Sequence, residues 1–454
     1  MFCFIITLSW KGDLSTNIAE ETAFASSGLN IKHRLIEEVK YNYKIGDFAG
    51  GAFGNGISRL IQLRRARIKL GYETPLTQMY IQLDCLPFTT ANLVNSVTTT
   101  TVVDTIIDSA GVKHAVAKTV TSTTKTGTAF TGGGISLKDA YLRFTEPWLK
   151  SFAIKGGVFD RPFGFEISYS SSSRESPERS RLFQTLFPNE RDLGASVEYI
   201  PADNLPFGAR LFNFKGGAFT GNGINIENDN NLDAIGRIGV SIPLYETNTA
   251  IDAGVSAYMG KVTSAVDTVM HFGDTNFVGK KISKFDPVER RYYGGDLQFY
   301  QDIPYIGGIS LRGEYIQGTQ PSTVSNTGSP KSDIANSGKW YVRDFSGYYG
   351  MLVQNIDPIR SQLVLKYDLY DPNTGITADR ITKANKLDIA ELQYATFGAG
   401  LVYHWDENVK FMLYYDHPMN ETVDAVSLGH DPVYRYYTED LKDDVLTFRI
   451  QYKF

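Results

Sequence analysis

The feature that most constrains this chain is a two-residue alternation of oily and ionic side chains. Near the C-terminus, Leu446, Phe448, Ile450, Tyr452 and Phe454 share one face, and Thr447, Arg449, Gln451 and Lys453 share the other. Successive side chains of a strand point to opposite sides, so this segment is a strand with one greasy and one polar face. Residues 60–72 repeat the pattern, with Leu60, Ala66, Ile68, Leu70 and Tyr72 against Arg65, Arg67 and Lys69. It recurs at 152–158, 309–315, 363–370 and 409–416. Helical periodicity is scarce. No run of about 18 apolar residues occurs, which excludes a helical membrane protein. The 27 tyrosines and 27 phenylalanines exclude a disordered one.

The same test predicts strands near 34–46, 59–73, 76–85, 136–146, 151–160, 193–201, 207–218 and 234–243. Eight more are expected near 251–260, 291–302, 308–317, 345–355, 360–370, 396–405, 408–416 and 445–453. Their connections alternate between short and long. The long ones cover 86–135, 161–192, 219–233, 261–290, 318–344, 371–395 and 417–444. A soluble sandwich needs no such rule. Transmembrane barrels do, with short turns on the periplasmic side and long loops outside, and their tilted strands need about 9–11 residues. A closed barrel also leaves no backbone amide unpaired in lipid. The expectation is an all-β chain: a transmembrane antiparallel barrel of about sixteen strands in the cell outer membrane. Its aromatic girdles would draw on Tyr141, Phe144, Tyr292, Tyr293, Tyr348, Tyr349, Tyr403, Tyr414 and Tyr415.

If the oily faces meet lipid, the ionic faces line a water-filled lumen. The expected basic lining is Arg65, Arg67, Lys69, Arg143, Lys155, Lys215, Arg312, Lys366, Lys410, Arg449 and Lys453. The acidic lining is Asp84, Asp139, Asp252, Asp296, Glu314, Asp368 and Asp416. The basic excess biases entry toward anions, although any one of these charges could instead pair across the sheet. Segment 161–192 combines Arg161, Arg174, Arg179, Arg181 and Arg191 with Phe163, Phe165, Phe183 and Phe187. A loop facing only solvent has no use for so many large apolar groups, so this one is expected to fold inward and narrow the pore. Guanidinium groups suit anions, phosphate included. Glu166, Glu175, Glu178, Glu190 and Asp192 in the same loop can neutralise them. The candidate channel-lining, anion-binding set is Arg65, Arg67, Lys69, Arg143, Lys155, Arg161, Arg174, Arg179, Arg181, Arg191, Arg312 and Arg449. Charge on Arg65, Arg67, Arg179 and Arg181 would lower the electrostatic barrier to anions.

Several segments in order resemble the phosphate- and polyphosphate-selective porins of outer membranes. They are Arg64-Arg65-Ala66-Arg67, Leu137-Lys138-Asp139-Ala140-Tyr141-Leu142 and Gly157-Val158-Phe159-Asp160-Arg161-Pro162-Phe163-Gly164. Glu178-Arg179-Ser180, Arg191-Asp192-Leu193-Gly194 and the terminal Phe454 complete the set. The likeness is strongest over 59–200 and at the C-terminus; elsewhere it is architectural. It implies a sixteen-stranded barrel, usually a homotrimer, with a constricting third loop and basic residues in the channel. A terminal aromatic is similar to the signal read by the outer-membrane assembly machinery.

Other functions fit less well. The net charge is −5, from 45 basic and 50 acidic residues, which is no footprint of a nucleic-acid binder. Cys3 and Cys85 form neither a disulfide framework nor a metal site. No G-x-S-x-G, H-E-x-x-H or Walker A motif occurs, and the six histidines are scattered, so neither an enzyme nor a cofactor is expected. Residues 1–33 read as an N-terminal arm or a secretory remnant, with the apolar run Phe2–Leu8 and an A-x-A site at Ala23-Phe24-Ala25. Residues 34–454 read as the barrel. The Thr- and Val-rich 86–135 reads as an extended hairpin. The function expected is passive diffusion of small hydrophilic solutes with a modest anion preference. The alternative is an adhesion or assembly barrel whose long loops bind partners.

Overall fold

The computed structural model describes residues 38–45, 59–85, 89–90, 96–107, 113–124, 130–131, 134–225, 229–263, 266–273, 276–324, 326–328, 340–381, 387, 389–423, 437–441 and 443–453. Side chains are described from residue 66 onward, outside 86–133. The expected N-terminal arm 1–33 and Phe454 lie outside the described residues.

Sixteen strands form the wall, numbered here in chain order. They are β1 (Glu38–Ile45), β2 (Arg59–Glu73), β3 (Thr77–Cys85), β4 (Ile135–Thr145), β5 (Phe152–Asp160), β6 (Arg191–Tyr199), β7 (Phe212–Phe219) and β8 (Asp233–Leu244). The second half comprises β9 (Thr249–Thr263), β10 (Pro287–Gln301), β11 (Ile309–Ser322), β12 (Trp340–Ile356), β13 (Ser361–Asp371), β14 (Tyr394–His404), β15 (Val409–Asn420) and β16 (Val445–Lys453). Consecutive strands from β4 to β16 pair antiparallel. β2 pairs with β3, and β1 pairs with both β2 and β16. β3 meets β4 where the Thr145 N–H donates to the Leu76 carbonyl at 2.8 Å and Tyr80 stacks on Tyr141. The ladder therefore closes on itself and leaves no edge, the condition for a strand protein in lipid.

Alternation fixes which face is which. On β16, Leu446, Phe448 and Tyr452 are exposed, whereas Thr447, Arg449 and Gln451 are buried inside. Leu363, Leu365, Leu401 and Leu413 look outward; Arg312, Glu314, Lys366 and Asp368 look inward. An outward oily band with a polar interior is the transmembrane arrangement. The same period corrects the girdle expectation. Phe144, Tyr293, Tyr348, Tyr403 and Tyr415 face outward, but Tyr292, Tyr349 and Tyr414 are buried inside, and Tyr141 is partly buried against the interior cluster. Adjacent residues such as Tyr292 and Tyr293 must part to opposite faces. The short turns carry Trp148, Tyr245, Tyr305 and Trp405, all exposed, as aromatic side chains at a membrane interface would be.

The strands β9 to β12 run longer than expected, and 261–290 is not all loop. Thr268–Phe272 and Phe277–Lys281 form a hairpin whose first strand pairs in parallel with Trp340–Val342 of β12. The extensions survive because they are packed: Val262, Val269, Val288, Trp340 and Val342 form an apolar cluster. A second cluster joins three loops through Ile376, Ile381, Leu392 and Val423, with Phe272, Phe277 and Tyr437 against it. Beneath it, Arg343 and Glu391 form a buried ion pair that also engages Ser322 and Asn373.

Residues Cys85–Ser136 form a compact unit of their own. Its backbone contains a hairpin of Ser96–Ile107 with Lys113–Thr124, the extended pair expected from its composition.

Candidate channel constriction

The loop after β5 enters the barrel at Gly164. This residue has φ +60°, and a Cβ there would overlap the Glu314 carboxylate. The turn places the Gly164 N–H 2.9 Å from Ser256 Oγ on β9. The N–H groups of Phe165 and Glu166 donate to Glu314 on β11. The loop's apolar side, Phe163, Ile167, Leu182, Phe183, Leu186 and Phe187, packs on Tyr258, Tyr292, Phe345 and Tyr349 of the inner wall. Part of it forms the short helix α1 (Arg181–Leu186). Aromatic residues expected in the girdles thus serve as the seat of the loop.

Its polar side is fastened to strand after strand. Lys366 Nζ on β13 lies 3.1 Å from Glu166, which also accepts the Ser180 hydroxyl. Arg312 on β11 makes a forked pair with Glu175 at 3.0–3.2 Å. Lys410 on β15 donates to the carbonyls of Ser172 and Arg174. On β16, Arg449 donates to the Pro177 carbonyl and to Glu178, and Gln451 to the Ser172 carbonyl. Arg67 on β2 donates to Ser171 Oγ at 2.7 Å and pairs with Asp84. The loop therefore spans the lumen from β5 to β2.

This placement gives most of the twelve expected site residues a fastening role. Arg67, Arg312 and Arg449 hold the loop from the wall. Arg179 binds Glu190 and the carbonyls of Glu166, Ile167 and Tyr169, closing the loop on itself. Arg191 pairs with Asp139 and Glu190. Arg161 pairs with Asp192 at 3.6 Å and lies over the Phe187 ring. Arg143 pairs with Glu198 at 2.9 Å. Arg181 lies over the Tyr394 ring at 4.0 Å. Arg174 is buried beneath the loop, and Lys69 is half-buried on β2. The side chain of Arg65 lies outside the described residues.

Opposite the fastened side, a cavity of about 430 Å³ remains between the loop and the wall β5–β10. The loop contributes Arg161, Pro162, Phe163, Phe165 and Ser168. The wall contributes Lys155, Glu198, Asn213, Lys215, Arg237, Ser241, Asp252 and Gln298, with Arg210 from the turn before β7. Of those among the twelve whose side chains are described, Lys155 and Arg161 border it. Lys155 stands 3.7 Å from Asp160 and 4.0 Å from Glu198, over the rings of Tyr141 and Phe159. Arg237 makes a forked pair with Asp296 at 2.8 and 2.6 Å. Sequence reasoning left out Arg210, Arg237 and Glu198. The inward set of β8, Asp233, Ile235, Arg237, Gly239 and Ser241, mixes charge, apolar groups and glycine, so its face is hard to read.

No protein-family model and no curated protein matches the chain. Among solved structures it is similar to the high-pH structure of Pseudomonas putida OprB, with TM-score 0.54 at 11% identity, covering 96% of this chain and 97% of that one. The outer membrane channel DcaP of Acinetobacter baumannii gives TM-score 0.49 at 10% identity, covering 92% of this chain and 96% of that one. Salmonella typhi OmpF in complex with daunomycin gives 0.49 at 12% identity, covering 93% and 98%. The OprB likeness agrees with the fold derived above.

Proposed function

We propose that this chain is an outer-membrane porin: a water-filled channel through which small hydrophilic solutes diffuse passively, with a modest preference for anions. The observation that carries the reading is the cavity left beside the inward loop, inside a closed barrel with an oily exterior. Of the basic groups that border the cavity, Lys155, Arg161 and Arg237 are paired with acids, whereas Lys215 has no ion pair within 4 Å among the described residues and Arg210 only a 4.0 Å approach to exposed Asp203. Cations so weakly paired lower the barrier to anions without forming a strict filter. Phosphate is one solute such a gap would admit. A homotrimer in the cell outer membrane, delivered there by recognition of Phe454, completes the proposal. No chemical step belongs to it.

The test is conductance of the purified protein in a planar bilayer, with the reversal potential read in a salt gradient. Stable steps with a reversal potential on the anion side are expected. Absence of conductance would overturn the channel and leave an adhesion or assembly barrel, whereas cation preference would overturn the anion bias alone.

A further inference from the structure

Of the cations around the gap, most are already neutralised where they stand. Arg237 is held by Asp296, Arg161 by Asp192, and Lys155 lies between Asp160 and Glu198. Lys215 differs. Its strand register sets it between Glu198 on β6 and Arg237 on β8. Glu198 is occupied by Arg143 and Arg237 by Asp296. Among the described residues, Lys215 forms no ion pair within 4 Å, and it acts on the Asp160 carboxylate only at longer range. The residue is half-buried and borders the cavity.

We propose that the passage selects singly charged organic anions, carboxylates with a compact apolar body, and that the Lys215 ammonium is the group that holds their carboxylate. This rests on the channel reading above. One ammonium without a close carboxylate matches one negative charge. A phosphate dianion asks for several converging donors, and of the guanidinium forks at the cavity those of Arg161 and Arg237 are engaged by Asp192 and Asp296, which leaves only Arg210, itself 4.0 Å from Asp203. Its second charge would also meet Asp160, Glu198 and Asp252 along the same lining. On the loop side Phe165 borders the cavity, half-buried and stacked on Tyr169 at 5.1 Å. That surface offers an apolar body a place out of water, which a fully hydrated inorganic ion cannot use.

The experiment measures chloride current through the full chain in a planar bilayer while benzoate, formate or inorganic phosphate is added at pH 7.5. Benzoate should half-block at a concentration about tenfold below that of phosphate, and below that of formate. Lys215→Gln should erase the benzoate advantage and shift the reversal potential toward cations, while Lys215→Arg should retain both. Phosphate blocking at the same or lower concentration than benzoate would overturn the proposal. So would benzoate block that survives Lys215→Gln, or formate blocking as well as benzoate. A wild-type protein that conducts nothing would instead refute the channel reading itself.

Discussion

Replacing Arg312 by glutamine separates fastening from selection. Arg312 and Glu175 are both nearly buried, 8% and 6% exposed, and joined by three contacts of 3.0–3.2 Å. The guanidinium also lies over the Tyr169 and Tyr300 rings at 5.0 and 5.6 Å. Without it, the Tyr169 hydroxyl at 2.9 Å is the side-chain donor that remains on Glu175 among the described residues. Breaking one side of a buried pair costs about 3–5 kcal/mol, and lumenal water puts this site near the low end. About 3 kcal/mol multiplies the local unseating of the loop by about 100-fold. The Ser173 and Arg174 amides, bonded to the Ser170 carbonyl, report it. Their hydrogen exchange should accelerate by about that factor, and open-channel current should become noisier. Adding Glu175→Gln should restore most of the protection, because the two charges then vanish together. If Arg312→Gln leaves exchange unchanged but moves the reversal potential as much as Lys215→Gln does, Arg312 is a selecting charge and the fastening account fails.

Two shorter predictions address the exterior and the loops. Leu401→Arg puts a charge on the outward face of β14 and should cost about 2–4 kcal/mol if that position lies at the bilayer midplane, read from urea titrations of folding in phospholipid vesicles. Burial raises the carboxyl of Asp443, in the loop before β16, to about 6, against the pull of Arg181 and with Asp440 adding repulsion. Its protonated form is thus favoured on folding, so its stabilising contribution is full below about pH 4 and lost as pH rises through 6. Exchange of amides in 437–444, corrected for intrinsic rates, should rise across that window, and Asp443→Asn should flatten the change.

The barrel was legible in the sequence because lipid and water enforce one period on every strand. A strand such as β16, with Phe448 beside Arg449, has a single way to lie between them. The signal fades wherever that pressure is absent. At the long-loop ends of the strands, Val262, Val288 and Trp340 pack with Val269 of a hairpin, so both faces of a strand can be apolar and the alternation no longer marks its end. The hairpin at 268–281 escaped for the same reason, since its first strand pairs with β12, far away in the chain.

The site was legible as a loop but not as a list of cations. Five arginines among four phenylalanines did announce a segment folded inward. Counting lumenal charges, however, treats each as available to a passing ion. An arginine inside a narrow, partly dry lumen is costly unless a carboxylate or carbonyl meets it. The five acids of 161–192 therefore belong to the same design as its arginines: Glu166, Glu175 and Glu178 reach wall cations, while Glu190 and Asp192 hold the loop's own. Selectivity is then left to whichever charge the pairing passes over. That choice depends on strand register, which no count of residues contains. Lys215 sits between two residues whose partners lie elsewhere, which is why it is proposed as the charge that acts on solutes.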